Sequence, residues 1–263
     1  MAEIADIKLV ITDVDGTLMT DDGLIPPQIF EVIEALICRG VTFAVASGRQ
    51  LQNLQQLFEP LASNIFFVAN NGATLAEGYK VLTDSLMHPA AVDLCLDFAQ
   101  LHAASPLLYA NGTVLTNDAS SALRQFLEKH QVPFAVSQNL AAYACGVSKL
   151  SLLKFDGSMP QLKPLLATSG IEVFVANRYM LDVTAEGTNK GVTISRLINL
   201  IGVAEANVCA FGDSENDLDM FAHAGLRFAV ANAAEVLKKK SRIVPSNNDL
   251  GVICTLRQLF NIA

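Results

Sequence analysis

The stretch VITDVDGTLM (residues 10–19) runs from apolar residues into two aspartates, Asp13 and Asp15, with Gly16 and Thr17 directly behind them. A short β-branched run that stops at turn-forming residues reads as a buried strand, here IKLVITD, and it carries two like charges to its carboxyl end. The next sixty residues set its surroundings. PPQIFEVIEALICRG places Ile29, Val32, Ile33, Leu36 and Ile37 at helical spacing, with prolines before them and Gly40 after. VTFAVASGR reads as a second strand, Leu51, Leu54, Leu57 and Phe58 mark another helix, and NIFFVANNGA reads as a third strand. Strands separated by helices of this length imply right-handed crossovers and a parallel sheet covered on both faces. The same alternation returns late in the chain, in KGVTISRLINLIG, NVCAFGDS, NDLDMFAHAG, LRFAV and SRIVPS. The two ends of the chain, residues 1–81 and 187–263, therefore read as one α/β core of the Rossmann-like type.

Residues 82–186 break this rhythm. They offer helix patterns at AAVDLCLDFAQLH and SSALRQFLEKH and strand patterns at SKLSLLKF and IEVFVAN. A segment of roughly a hundred residues is the size of a small domain, since structureless loops rarely exceed about fifteen. It reads as an inserted α+β domain. No fixed-period repeat or low-complexity segment is evident.

A chain of 263 residues with 51% hydrophobic and 17% charged residues has the balance of a folded globular protein. Its formal net charge of -8 argues against a nucleic-acid surface, which needs clustered Lys and Arg to neutralise phosphates. The one basic cluster, Lys238 to Lys240 with Arg242, follows a plausible helix and suits its carboxyl end. Five widely spaced cysteines without a C-x-x-C suggest neither a disulfide framework nor a zinc site. The amino-terminal MAEIADIKLV has acids where a secretory signal needs positive charge, and no apolar run approaches a membrane span. A cytoplasmic protein is expected, as a monomer or homodimer, acting on neither nucleic acid nor membrane.

In a parallel α/β sheet, function gathers at the carboxyl ends of the strands. Asp13 and Asp15 follow the first strand, Ser47, Gly48 and Arg49 the second, and Asn70, Asn71 and Gly72 the third. Gly212 to Asp217, GDSEND, follow the strand NVCAF, and Lys190 begins the helix leading into it. Converging Asp13, Asp15 and Asp213 would repel one another unless a hard cation sat among them, and magnesium prefers such oxygen donors. A bound magnesium attracts phosphate, whose remaining charge Lys190, the Ser47 hydroxyl and the N–H groups around Gly48 could meet. Such a set suits phosphoryl transfer, with one carboxylate as nucleophile and the other moving protons.

These motifs resemble those of the haloacid dehalogenase superfamily of phosphatases, in its Cof-like branch. DVDGT at Asp13 to Thr17 is similar to the family's first motif, ASGR to the second at Ser47, NKG to the third at Lys190 and GDSEND to the fourth. The resemblance implies that Asp13 is the nucleophile and Asp15 the general acid and base. It implies magnesium on the Asp13 carboxylate, the Asp15 backbone carbonyl and Asp213. Ser47, Gly48, Lys190 and Asn216 would hold the transferring phosphate, with Asp217 orienting its neighbours. FAVANA at Phe228 to Ala233 departs from the branch's pattern at Val230 and Ala231, and NNDLGV at Asn247 to Val252 departs at Leu250. Neither touches a catalytic position.

Only about thirty residues separate Thr17 from Ser47, room for a short flap and one helix, so the cap the family carries must be the later insertion. A cap of that kind implies small organic phosphate esters such as sugar phosphates, phosphorylated cofactors or nucleotides. Tyr179, Asp182 and Glu186, near its returning end, are candidates to meet the substrate. Two other readings stay open: a phosphomutase of the phosphomannomutase type, which would use the same Asp13 and Asp15, and a non-catalytic phosphate-binding module. The inserted domain counts against the last.

Overall fold

The computed structural model of the protein describes residues 7–110, 112–129 and 132–262. Residues 1–6, which carry the acidic amino-terminal stretch, lie outside them, as does His130 at the end of the expected helix SSALRQFLEKH. The chain divides into two compact units, one built from its two ends up to Leu82 and from Asn189 onward, the other from Thr83–Thr188.

The first unit opens with β1 (Leu9–Thr12), α1 (Gln28–Cys38), β2 (Thr42–Ala46), α2 (Leu51–Leu57), β3 (Phe66–Ala69), β4 (Thr74–Glu77) and β5 (Lys80–Asp84), the last crossing into the second unit. The second unit holds α3 (Pro89–Leu101), β6 (Ser105–Ala110), β7 (Thr113–Thr116), α4 (Ser121–Lys129), β8 (Phe134–Val136), β9 (Val147–Leu153), α5 (Met159–Leu166), β10 (Ile171–Asn177) and β11 (Met180–Ala185). The chain then returns through α6 (Lys190–Ile201), β12 (Val208–Gly212), α7 (Leu218–Ala222), β13 (Leu226–Val230), α8 (Glu235–Lys238), β14 (Arg242–Val244) and α9 (Gly251–Phe260).

Among the described residues the first unit's sheet has the order β14-β13-β12-β1-β2-β3-β4-β5. The strands from β14 to β3 run parallel. β4 turns back antiparallel on β3, so the sheet is mixed, and the hairpin of β4 and β5 is an addition that the strand-helix alternation did not announce. β1 is buried along its whole length, as a central strand covered on both faces must be. α1 turns Ile29, Val32, Ile33 and Leu36 into the core, where burying each such side chain stabilises by about 1.5–3 kcal/mol.

The second unit's sheet has the order β10-β11-β9-β6-β7-β8 among the described residues. Its pairings are antiparallel except between β7 and β8. Alternation along β9 sends Leu150 and Leu152 to one apolar cluster and Leu153 to another. No helix among the described residues is long and apolar enough to cross a membrane. All five cysteines are free thiols.

Candidate active site

Register brings the motifs to one level. β1 lies between β12 and β2, with Thr12 opposite both Phe211 and Val45. Asp13 therefore leaves the sheet one residue beyond a shared rung, where its N–H donates to the Phe211 carbonyl at 3.0 Å. Asp213 and Ser47 each lie two residues beyond the same rung. The reversal of strand order on either side of β1 opens the crevice that ligands use in such sheets.

Lys190 reaches this level from the first turn of α6. Asn189 caps that helix, its Oδ1 accepting from the Val192 N–H at 2.9 Å. Gly72, with φ +98°, fixes where the helix begins: a Cβ there would stand 2.2 Å from the Asn189 carbonyl oxygen, so only glycine permits the approach. The Thr193 hydroxyl closes the contact by donating to the Gly72 carbonyl at 2.6 Å. A cation at a helix amino terminus opposes the macrodipole, and Lys190 is only 1% exposed. Two carboxylates offset both costs: Nζ donates to Asp13 Oδ1 at 2.6 Å and to Asp217 Oδ1 at 2.8 Å. Burial alone would lower the Lys190 pKa, but Asp13 and Asp217 reverse that and push it up.

Asp217 shapes the loop after β12. Its Oδ2 accepts from the Asp213 N–H at 3.0 Å and the Ser214 N–H at 3.1 Å, forming a capping box with Ser214. Asp213 Oδ1 accepts from the Thr17 hydroxyl at 3.0 Å. One carboxylate oxygen each of Asp13, Asp213 and Asp217 lies within 4.8 Å of the others. Three buried or half-buried carboxylates thus face a single ammonium. Burial drives the Asp13 pKa well above the usual carboxylate range, with Lys190 pulling the other way and Asp217, Asp213 and Asp15 adding to the rise. Asp213 is pushed up to about 6, by burial first and the Asp217 charge second. A hard divalent cation would remove this penalty, and an all-oxygen donor set fits one. The cluster can therefore hold a metal ion.

Asp15 turns elsewhere. Its carboxylate is gripped at both oxygens by Arg49, Nε to Oδ2 at 2.8 Å and Nη2 to Oδ1 at 2.6 Å, while Arg49 Nη1 donates to Asn53 Oδ1 at 2.9 Å. This planar fork-to-carboxylate fit is one that lysine could not reproduce. The Ser47 hydroxyl accepts from the Arg49 N–H at 3.1 Å, and the Ser47 N–H is spent on the Val68 carbonyl. Neither N–H is thus held open for an anion, and α2 begins only at Leu51. Beside Gly48 stands Asn71, whose Oδ1 would lie 3.0 Å from a Cβ at that position. Asn216 accepts from the Ser214 hydroxyl at the rim of the loop. Asp182 lies in the second unit's sheet, bonded to Lys149 at 3.1 Å and to Ser151. Glu186 accepts from the Gly170 N–H, and Tyr179 lies under the Arg178 guanidinium.

Sequence reasoning assigned no role to Arg49 or Thr17, although both sit inside quoted motifs. A residue-type signal was available for Arg49, a guanidinium two positions after Ser47. Nothing in the sequence pointed it at Asp15, 34 residues away.

Comparisons with known proteins agree with the geometry. The sequence model described as haloacid dehalogenase-like hydrolase matches residues 10–256. The chain is 26% identical to 5-amino-6-(5-phospho-D-ribitylamino)uracil phosphatase YwtE of Bacillus subtilis (strain 168), over 92% of this chain and 94% of that one. It is likewise 26% identical to 5-amino-6-(5-phospho-D-ribitylamino)uracil phosphatase YbjI of Escherichia coli (strain K12), over 94% of each. The crystal structure of TM0651 from Thermotoga maritima superposes with a TM-score of 0.84 at 25% identity, covering 96% of this chain and 97% of that one. With the match spanning nearly the whole chain, the protein belongs to the haloacid dehalogenase-like hydrolase family, as a phosphatase of its Cof-like branch.

Proposed function

We propose that the protein hydrolyses small organic phosphate monoesters in a magnesium-dependent reaction that passes through a phosphoryl group on Asp13. The observation that carries this reading is the charge imbalance at the end of β1, where Asp13, Asp213 and Asp217 cluster about one ammonium, Lys190, that pairs with Asp13 and Asp217. The site is short of positive charge by an amount that a divalent cation and a phosphoryl group together would balance. Magnesium on the Asp13 and Asp213 carboxylates and the Asp15 main-chain carbonyl would neutralise charge on the phosphoryl oxygens.

The chain's own groups divide the remaining work. An Asp13 carboxylate oxygen bonds to phosphorus as the ester oxygen departs, and Asp15 gives that oxygen its proton. Asp15, now a carboxylate, takes a proton from water as the water oxygen attacks phosphorus, and the Asp13–phosphorus bond breaks to release inorganic phosphate. Lys190, held between Asp13 and Asp217, favours the ionised form of the nucleophile against its burial and faces the phosphoryl charge. Ser47, Gly48 and Asn216 complete the phosphate cradle. Carrying the proton requires Asp15 to give up part of its grip on Arg49, because a protonated carboxyl cannot accept both guanidinium bonds as an anion does.

A small-molecule substrate is favoured over nucleic acid by the net charge of -8. The phosphorylated ribitylaminouracil named for two relatives is a first candidate. The test is inorganic phosphate released from that compound and from sugar phosphates, nucleotides, flavin mononucleotide and pyridoxal phosphate, with no bisphosphate added. Acid quenching during turnover should leave a phosphoryl group on the peptide carrying Asp13. Release without any such adduct, undiminished in Asp13→Asn, would defeat the proposal, and transfer to sugar without release would favour the mutase.

A further inference from the structure

Two segments resembling the branch, FAVANA and NNDLGV, have no part in the proposed chemistry, yet their asparagines reach the loop that carries it. Asn232, just after β13, donates from Nδ2 to the Gly16 carbonyl at 2.7 Å. Its Oδ1 accepts from the Asn247 N–H at 3.2 Å. Asn247, only 3% exposed, donates from Nδ2 to the Met19 carbonyl and to Asp21 Oδ1, both at 2.9 Å. Asn248 completes the contact, donating to Asp21 Oδ2 at 2.8 Å and accepting from the Asp21 N–H at 3.0 Å. The loop after β1 is thus tied at Gly16, Met19 and Asp21 to residues more than two hundred positions away.

The anchor is itself fixed. Ser246 accepts at its carbonyl from the Asp249 and Gly251 N–H groups, at 3.1 and 3.0 Å, and its hydroxyl pairs with the Asp249 side chain. The braced loop touches the carboxylate cluster directly. Gly16 has φ +79°, and a Cβ there would lie 2.6 Å from Asp213 Oδ2. Its neighbour Thr17 donates to Asp213 Oδ1. The Gly16 carbonyl that Asn232 holds is one peptide along from the Asp15 carbonyl, so this bond fixes one side of Gly16, the residue that joins the two peptides. A satisfied network of side-chain and main-chain hydrogen bonds rigidifies the loop it holds.

We propose that Asn232 and Asn247 are positioning residues that hold the loop from Asp15 to Asp21 in the orientation a divalent cation needs, and so set the affinity for that cation. This rests on the magnesium-dependent reading of the site. Partners standing behind metal ligands are worth about 10–100-fold in metal affinity, and the lower end of that range is expected here because Asn232 is exposed.

The experiment titrates magnesium against thermal unfolding and against phosphate release in wild type, Asn232→Asp and Asn247→Ala. Asn232→Asp keeps the acceptor for the Asn247 N–H and loses the donor to Gly16. It also adds a negative charge, and charge alone would draw a cation in more tightly. The expected result is a magnesium midpoint raised about tenfold in both readouts, with the ester's KM moving less than the metal midpoint. Asn247→Ala should shift it at least as far; if that buried change prevents folding, Asn232→Asp decides alone. A midpoint in Asn232→Asp that is unchanged or lowered overturns the brace. A wild type whose unfolding ignores magnesium defeats the underlying reading and the brace with it. A responsive wild type beside an unshifted Asn232→Asp defeats the brace only.

Discussion

Each unit buries a lysine against carboxylate, and the two clusters are built to opposite ends. In the second unit Lys149 meets Asp182 at 3.1 Å, and the Ser151 hydroxyl bonds the other carboxylate oxygen. The Lys149 ammonium also lies 4.1 Å from the centre of the Tyr109 ring. One cation answers one anion there. Burial works to lower the Lys149 pKa, and Asp182 and then Tyr109 more than restore it. In the first unit Lys190 pairs with two of three clustered carboxylates, and burial leaves Asp13 and Asp213 with raised pKa values. A balanced pair of buried charges can be read as architecture. An unbalanced one, at the end of a central strand, is a cluster that can hold a cation.

The largest effect should separate the clusters by activity. Asp13→Asn is expected to reduce phosphate release by about 10⁴-fold, as removal of a nucleophile that acts as part of a unit does. Lys149→Met should leave the magnesium midpoint where it is in wild type. Chemical denaturation should then show the structural nature of the second cluster. Lys149→Met strands a buried Asp182 and should cost about 3–5 kcal/mol, while Lys149→Met with Asp182→Leu should recover most of that, since an ion pair replaced whole by apolar groups is often near neutral. Failure of the double change to recover stability would give the second cluster a role beyond packing.

Smaller still is the response to metal. Magnesium at a hundred times its dissociation constant should stabilise wild type by about 2.7 kcal/mol, and Asp213→Asn should abolish the gain. The smallest effect is a pH slope. Asp213 is pushed up from 3.8 to about 6 in the fold, so the folded state binds its proton more tightly than the unfolded chain. Its contribution is present below about pH 4 and is lost as pH rises through about 6. Melting temperature in chelator should therefore fall between those values, and saturating magnesium or Asp213→Asn should flatten the slope.

The strand ends of the first unit were legible because each polar motif interrupts an apolar run, and a buried parallel strand leaves little doubt where it stops. Asp13, Ser47 and Asp213 could be placed at one level from that alone, and Lys190 near them from its place at the start of the helix leading into β12. Less legible was anything short or exposed. β8 spans three residues, Phe134–Val136, two of them exposed, too few for a period to show. The hairpin of β4 and β5 turns on Gly78 and runs past the expected boundary of the insertion at residue 82, where no alternation of strand and helix marks it. Side-chain pairings were the least accessible. Asp15 with Arg49 and Lys149 with Asp182 are each more than thirty residues apart, and Asn232 reaches Gly16 across 216. Residue type announced that these groups could bond, and only the fold chose their partners.

The unbalanced cluster is tested most directly by calorimetric titration of magnesium into wild type and Asp213→Asn at neutral pH. One ion bound per chain in wild type, with the heat lost or the affinity greatly weakened in the variant, is the predicted result. Equal binding by both proteins, or none by wild type, would contradict the assignment of these carboxylates to a metal.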